Sequence, residues 1–193
     1  MARHDRQQWD ERFRAGSHAS PEPDPFLNRL EEYRPLLPPG RRALDVACGA
    51  GRHAVFLAER GWRVTACDIS LEGLLQARAL AAGRGVRVDL VCIDLETLWL
   101  PSNCFDLAVC FFYLQRELFS LLRATLRPAG LLVYKTYTTD QSRFSGGPTH
   151  PLHLLQPQEL LQAFRDFRVL CYEEIVQGRG VAQLIAQKPS ADS

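Results

Sequence analysis

Three acidic side chains recur at the same kind of place in this chain. Asp45 lies in LDVACGAGRH (44–53), Asp68 ends WRVTACD (62–68) and Asp94 ends VRVDLVCID (86–94), each at or near the close of an apolar run. Gly49 and Gly51 follow the first of them. Glycine has no Cβ, so the chain can turn sharply there and its backbone can approach a ligand closely. A helix starting at Gly51 would aim free N–H groups and its positive dipole end at the same spot, which suits a carboxylate or a phosphate. Two readings compete. GAGRHA (49–54) fits the dinucleotide pattern GxGxxG/A, with Asp68 at the spacing of a ribose-holding acid. Read from Asp45, the same stretch is D-x-A-x-G-x-G, and a carboxylate there repels a pyrophosphate but suits the ammonium of an amino-acid moiety. Asp68 can accept from both ribose hydroxyls, and Asp94 from an adenine amino group. Together the three favour a nucleoside that carries a positive charge and no phosphate.

The elements that must position these groups alternate regularly from Arg42 onward. ALDVAC (43–48) is a strand, and GRHAVFLAER (51–60) is a helix closed by Gly61. After the second strand, Ser70 can cap a helix with Leu71, Leu74, Leu75 and Ala82 on one face. FDLAVCFFYL (105–114) is the fourth strand, followed by a helix (115–126) that stacks Leu118, Leu122 and Leu126. Pro128-Ala129-Gly130 turns into a fifth strand, LLVYKTYT (131–138). A polar stretch and a helix opened by Pro157 lead to two last strands, joined by only QGRG (177–180), so that pair must be antiparallel. The alternation predicts a doubly wound α/β fold with a mostly parallel sheet covered on both faces. Residues 1–39 read as an N-terminal helical lid or extension, with a charged helix at 5–14 bearing Trp9 and Phe13. A proline-rich hinge, a helix at 26–37 and a stop at Pro38-Pro39-Gly40 follow. Residues 40–193 read as the cofactor-binding domain.

A chain of 193 residues, 46% hydrophobic, makes one domain with a sizeable core. A net charge of +1 with dispersed arginines argues against a nucleic-acid partner. The charged start lacks a signal-peptide core, and no window reaches the length of a membrane span, so a cytoplasmic protein is expected. The six cysteines contain no CxxC pair and read as buried reduced thiols rather than a disulfide framework or a zinc site. HPLH (150–153) has no evident third ligand, so no metal is expected.

LDVACGAGRHAVFLAERGWRVTACDIS closely resembles motif I and the acidic second-strand loop of class I methyltransferases that use S-adenosylmethionine (SAM). FDLAVCFFYLQRELF, LRPAGLLVYKTY and the antiparallel last strands resemble later parts of the same fold. WDERF near the start resembles small bacterial enzymes of the tellurite-resistance and thiopurine-methyltransferase type. The resemblance implies seven strands in the order 3-2-1-4-5-7-6, with strand 7 antiparallel. It implies that Asp45, Ala47, Cys48, Gly49 and Gly51 line the amino-acid end of SAM and that Asp68 and Ile69 hold ribose and flank adenine. Asp94 and Leu95 would meet adenine's other edge, and Cys110 and Phe111 would lie beneath the sulfonium. Apart from the resemblance, Trp9 and Phe13 are large apolar groups on a charged segment, which would either form part of a mobile lid over the cofactor or dock permanently on the sheet. Two departures stand out: the first glycine of the usual motif is Ala47, and the short segment LETLWLPSNC leaves the third helix reduced or absent.

SAM is already activated, so the protein mainly has to align a nucleophile and exclude water. A thiolate or reduced metalloid anion needs no strong base, whereas a hydroxyl does. The candidates for that chemistry are His150, Arg143, Arg116 and Tyr113, with the stretch Thr138–Gln156 as the wall of the acceptor pocket. A small-molecule acceptor is expected. An NAD-dependent oxidoreductase and a SAM-binding protein without catalysis are the other two readings of the same residues.

Overall fold

The structure, a computed structural model, describes residues 2–16, 20–37 and 39–190, so part of the expected hinge (17–19) and Pro38 of the expected stop lie outside the described residues. Seven strands form one sheet: β1 (Arg42–Val46), β2 (Arg63–Asp68), β3 (Val88–Cys92), β4 (Phe105–Phe111), β5 (Leu126–Tyr137), β6 (Arg168–Val176) and β7 (Gly180–Gln187). Their order is β3-β2-β1-β4-β5-β7-β6. β1 to β5 run parallel and β7 is antiparallel to both of its neighbours. The α-helices are α1 (Ala2–Arg14), α2 (Arg52–Glu59), α3 (Leu71–Gly83), α4 (Leu118–Thr125) and α5 (Glu159–Ala163).

β4 shows why the sheet is two-faced. All seven of its residues are buried, because it lies between β1 and β5 and is covered on both sides. Leu107, Val109 and Phe111 face one core with Phe26, Leu27, Leu30 and α2, while Ala108 and Cys110 face the other with Leu118, Leu122 and Phe164. Leu118, Leu122 and Leu126 are all buried, but the expected helix ends at Thr125 and Leu126 is already the extended first residue of β5.

Several elements differ from the sequence reading. The segment at Pro25–Leu36 is a 3-10 helix, not an α-helix. Its Asp24 cap accepts from the Phe26 N–H, and Pro35 inside it has no N–H to offer. α3 buries Gly73, Leu74, Ala77 and Ala81, whereas Leu71 and Leu75 are exposed, because small residues are needed where α3 meets α2. A Cβ on Gly51 would come within 2.6 Å of the Ala77 Cβ. β3 is partly exposed because it is the sheet's edge, and Cys92 is exposed with it, unlike the buried Cys48, Cys67, Cys110 and Cys171. Between β3 and β4 only a single 3-10 turn (Leu95–Thr97) remains of the third helix.

Asp106 fixes the edge of the sheet opposite the site. It is fully buried, accepts from the Arg42 N–H at 2.9 Å and pairs with Arg127 at 3.0 Å, so it joins the starts of β1, β4 and β5. Gly40 is required beside it, since any Cβ there would run into the Asp106 carboxylate. Asp106→Ala leaves the part-buried Arg42 N–H and the Arg127 guanidinium without their carboxylate partner. The expected loss is about 3 kcal/mol in urea unfolding, and a loss within about 0.5 kcal/mol would contradict this role.

Candidate functional site

The carboxyl ends of β1, β2 and β4 and the start of α2 converge on one turn. Cys48 donates its N–H to the Cys67 carbonyl, and Gly51 to the Cys48 carbonyl. Ala47, Gly49 and Gly51 have φ of 56°, 53° and 78°. The left-handed region costs an L-residue about 1–2 kcal/mol, so Ala47 holds strain that a glycine would not. Gly49 also leaves room for a side chain: a Cβ on it would approach the Phe13 ring to 3.0 Å, and one on Gly73 to 2.9 Å. The two glycines therefore form the seat of Phe13, a contact between residues far apart in sequence that the motif itself does not announce.

Asp45 is 1% exposed, and neither carboxylate oxygen has a hydrogen-bond partner. Burial, helped by the nearby Asp68 charge, raises its pKa to about 8 against the weaker pull of the Ala54 N–H and Arg52. A buried acceptor without a donor costs free energy unless a ligand supplies one. An ammonium group fits this position, and a pyrophosphate does not.

Asp68, at the end of β2, is buried. Its two oxygens accept from the Gly49 and Ser70 N–H groups, both at 2.8 Å, so it clamps the turn after β1 to the start of α3. Burial raises its pKa, and those N–H groups oppose the shift. Each oxygen retains a lone pair, so ribose hydroxyls can still donate to it. Asp94 is half-buried and accepts from the Glu96 N–H at 3.0 Å, with Leu95 buried next to it.

α1 is docked over the β2 end of this site. Asp10 accepts from the Ser70 hydroxyl at 2.6 Å, Arg6 donates to the Ile69 carbonyl at 3.1 Å and Gln76 to the Phe13 carbonyl at 2.9 Å. Phe13 is buried and Trp9 half-buried, with ring centroids 6.1 Å apart. The tryptophan thus rides on a helix whose partners, Ile69 and Ser70, border the expected ribose and adenine positions.

The end of β4 brings in groups that sequence reasoning missed. Phe111 stacks on His53 with centroids 4.1 Å apart. His53 accepts the Asp24 N–H at Nε2, and burial lowers its pKa to about 3, so it is a neutral spacer rather than a base. Asp24 also pairs with Lys135 on β5 at 2.8 Å, both side chains being buried. Cys110 is fully buried and held as a thiol, its pKa pushed up to about 12 by burial.

The four candidates for acceptor chemistry do not meet at one point. Arg116 is bound through its Nε and Nη2 to Glu159 and also donates to the Leu152 and Leu154 carbonyls, which fastens the loop after β5 to α5. Tyr113 donates to Gln115 at 2.9 Å, and burial raises its pKa, so it stays protonated at neutral pH. Arg143 is exposed and pairs with Asp140, while His150 is exposed and accepts from the Leu152 N–H at Nδ1. Among the described residues no group of three or more His, Cys, Asp or Glu side chains is placed to hold a metal. No described helix is long and apolar enough to cross a membrane.

Comparison with known proteins bears on the same turn. Residues 43–130 match the family model described as "Methyltransferase domain". The ubiquinone biosynthesis O-methyltransferase of Idiomarina loihiensis is 30% identical over 123 residues, which is 60% of this chain and 50% of that protein. The chain spans about half the length of the curated relatives it matches. Among solved structures, the 4+2 cyclase SpnF superposes with a TM-score of 0.70 at 23% identity, covering 86% of this chain and 80% of that one. TehB from Haemophilus influenzae superposes with a TM-score of 0.71 at 15% identity, covering 93% and 67%. The likenesses to solved structures show the fold, and residues 43–130 are similar to the methyltransferase-domain family.

The orphaned Asp45 has a measurable signature. An ordinary aspartate in the unfolded chain ionises near pH 3.9, whereas folded Asp45 keeps its proton to about 8. Between those values the unfolded state binds fewer protons than the folded one, so this group makes stability fall as pH rises from about 4 to 8. Asp45→Asn removes that term. Relative to the parent, the variant is expected to gain stability across that range, by about 1 kcal/mol or more at pH 8, while losing SAM affinity. Parallel stability curves for the two proteins would contradict the assignment.

Proposed function

We propose that this chain is a SAM-dependent methyltransferase acting on a small-molecule acceptor. The observation that carries the reading is Asp45, buried without a donor beneath a turn whose backbone is open to a ligand. Bound there, SAM supplies an electrophilic methyl group. Asp45 would accept from its ammonium, and the free N–H groups at the start of α2 would face its carboxylate. Asp68 and Asp94 would take the ribose hydroxyls and the adenine amino group, with Ile69 and Leu95 flanking the base and α1 carrying Trp9 across it. Cys110 and Phe111 supply the neutral floor at the end of β4, which keeps water from the transferring methyl.

The acceptor is proposed to arrive already ionised, as a thiolate or metalloid anion. The groups around the turn favour this: His53 and Tyr113 are held in forms that do not take a proton near pH 7. The named relative is an O-methyltransferase, and a hydroxyl acceptor would need a base. For that case we assign His150, in the loop Thr138–Gln156 that follows β5, with Arg143 as an anion anchor. Calorimetric titration separates the cofactor readings. SAM and S-adenosylhomocysteine are expected to bind, and NAD to bind at least a hundredfold more weakly. Equal or tighter binding of NAD would overturn the proposal in favour of a dinucleotide enzyme.

A further inference from the structure

A row of polar side chains crosses β5, β7 and β6 beside Phe111 of β4, at the carboxyl end of the sheet. Phe111 on β4 is in register with Lys135 on β5, Lys135 with Gln183 on β7, and Gln183 with Glu173 on β6. Lys135 gives one hydrogen bond to Asp24, and Gln183 gives its Nε2 hydrogen to Glu173 at 2.5 Å. Glu173 in turn pairs with Arg29 at 3.0 Å. Burying a charged pair and a carboxamide in an apolar layer is costly. Ordinary sheet packing requires none of them.

Beside this row lies a cleft of about 400 Å³. Phe26, Ile175 and Val181 give it apolar walls, and Lys135, Gln183 and Arg179 give it polar ones. Two features show that its polar groups have bonding capacity left over. Gln183 is 95% buried (5% exposed), and its Oε1 has no donor. Lys135 is equally withdrawn from solvent and has three N–H bonds, of which Asp24 takes one. Lys135 is paired with Asp24, and Arg29 with both Glu173 and Glu32, which leaves Arg179 as the positive group at the cleft without an ion pair among the described residues.

The cleft is next to the cofactor turn. The Phe112 ring lies 5.8 Å from the Lys135 ammonium on one side and 5.9 Å from the Arg52 guanidinium, at the start of α2, on the other. Phe112 is held there in the left-handed region, with φ of 57° and its N–H on the Lys135 carbonyl at 2.7 Å. Phe112 thus lies within 6 Å of both Arg52 at the start of α2 and Lys135 in the cleft. The acceptor loop's first residues also abut it, since a Cβ on Gly180, next to Arg179, would strike the backbone of Asp140 and Gln141.

We propose that this cleft is an anion subsite for the end of the methyl acceptor remote from its reacting atom, and that it takes a carboxylate with a neighbouring hydroxyl or amino group. The carboxylate would meet Lys135 and Arg179, the neighbouring donor would satisfy Gln183 Oε1, and the apolar body would lie on Phe26 and Val181. That its occupant is the acceptor rests on the methyltransferase reading; that it holds a carboxylate does not.

Salicylate and its uncharged counterpart salicylamide are suitable probes, titrated into the full chain with and without saturating S-adenosylhomocysteine. Salicylate is expected to bind at least tenfold more tightly than salicylamide. Arg179→Glu, at an exposed position, is expected to abolish that preference and to leave S-adenosylhomocysteine affinity unchanged. The paired change Asp24→Asn with Lys135→Met removes both charges without leaving either alone, and is expected to do the same. Equal binding of the two probes, no salicylate binding at millimolar concentration, or salicylate binding unchanged in both variants would overturn the subsite. Failure of S-adenosylhomocysteine to bind, with salicylate preference intact, would instead overturn the methyltransferase reading and leave the anion site standing.

Discussion

A carboxylate closed in by apolar walls and given no donor keeps its proton, and Asp45 is in that position at the end of β1. The surrounding architecture maintains that condition. β1 lies inside the sheet, between β2 and β4, and Asp45 is 1% exposed. Asp68 cannot relieve it, being an acid itself and committed to the Gly49 and Ser70 N–H groups. Cys48 and Cys67 stand close by and are held as neutral thiols by the same burial. The turn above Asp45 is left-handed at three positions, which directs its backbone toward a ligand rather than toward the acid below. The ligand-free fold thus holds an unsatisfied group in reserve, and binding energy is gained where folding energy was lost.

The sequence was legible where chemistry depends on neighbours along the chain. The spacing of Asp45, Gly49 and Gly51 located the turn, and the brevity of residues 177–180 required the last pair of strands to be antiparallel. The strand order followed from resemblance and agrees with the structure. Other features depend on contacts between distant positions and left no local mark. Asp24 and Lys135 are 111 residues apart, and neither stands in a motif. His53 follows the glycines directly, yet its neutrality comes from Phe111 and the Asp24 backbone. Apolar spacing over the short segment after Pro25 could not separate a 3-10 helix from an α-helix. The exposure of β3 follows from its place at the edge, which hydropathy alone does not reveal.

Asp24 ties the N-terminal segment to the site more firmly than α1 does. It caps the 3-10 helix, neutralises Lys135 and donates to His53, so one residue links the segment before β1 to α2, β4 and β5. α1 is held differently, by hydrogen bonds of Arg6, Asp10, Phe13 and Arg14 that range from exposed to part-buried, and by Phe13 seated on Gly49 and Gly73.

The most direct test of the account is the number of protons exchanged when SAM binds, measured by calorimetry at pH 7 in buffers of different ionisation enthalpy. With Asp45 protonated in the free protein and ionised against the cofactor's ammonium, the parent chain is expected to release close to one proton per SAM bound. In Asp45→Asn, any remaining binding is expected to release none. Binding by the parent without proton release, or equal release by the variant, would contradict the role given to Asp45.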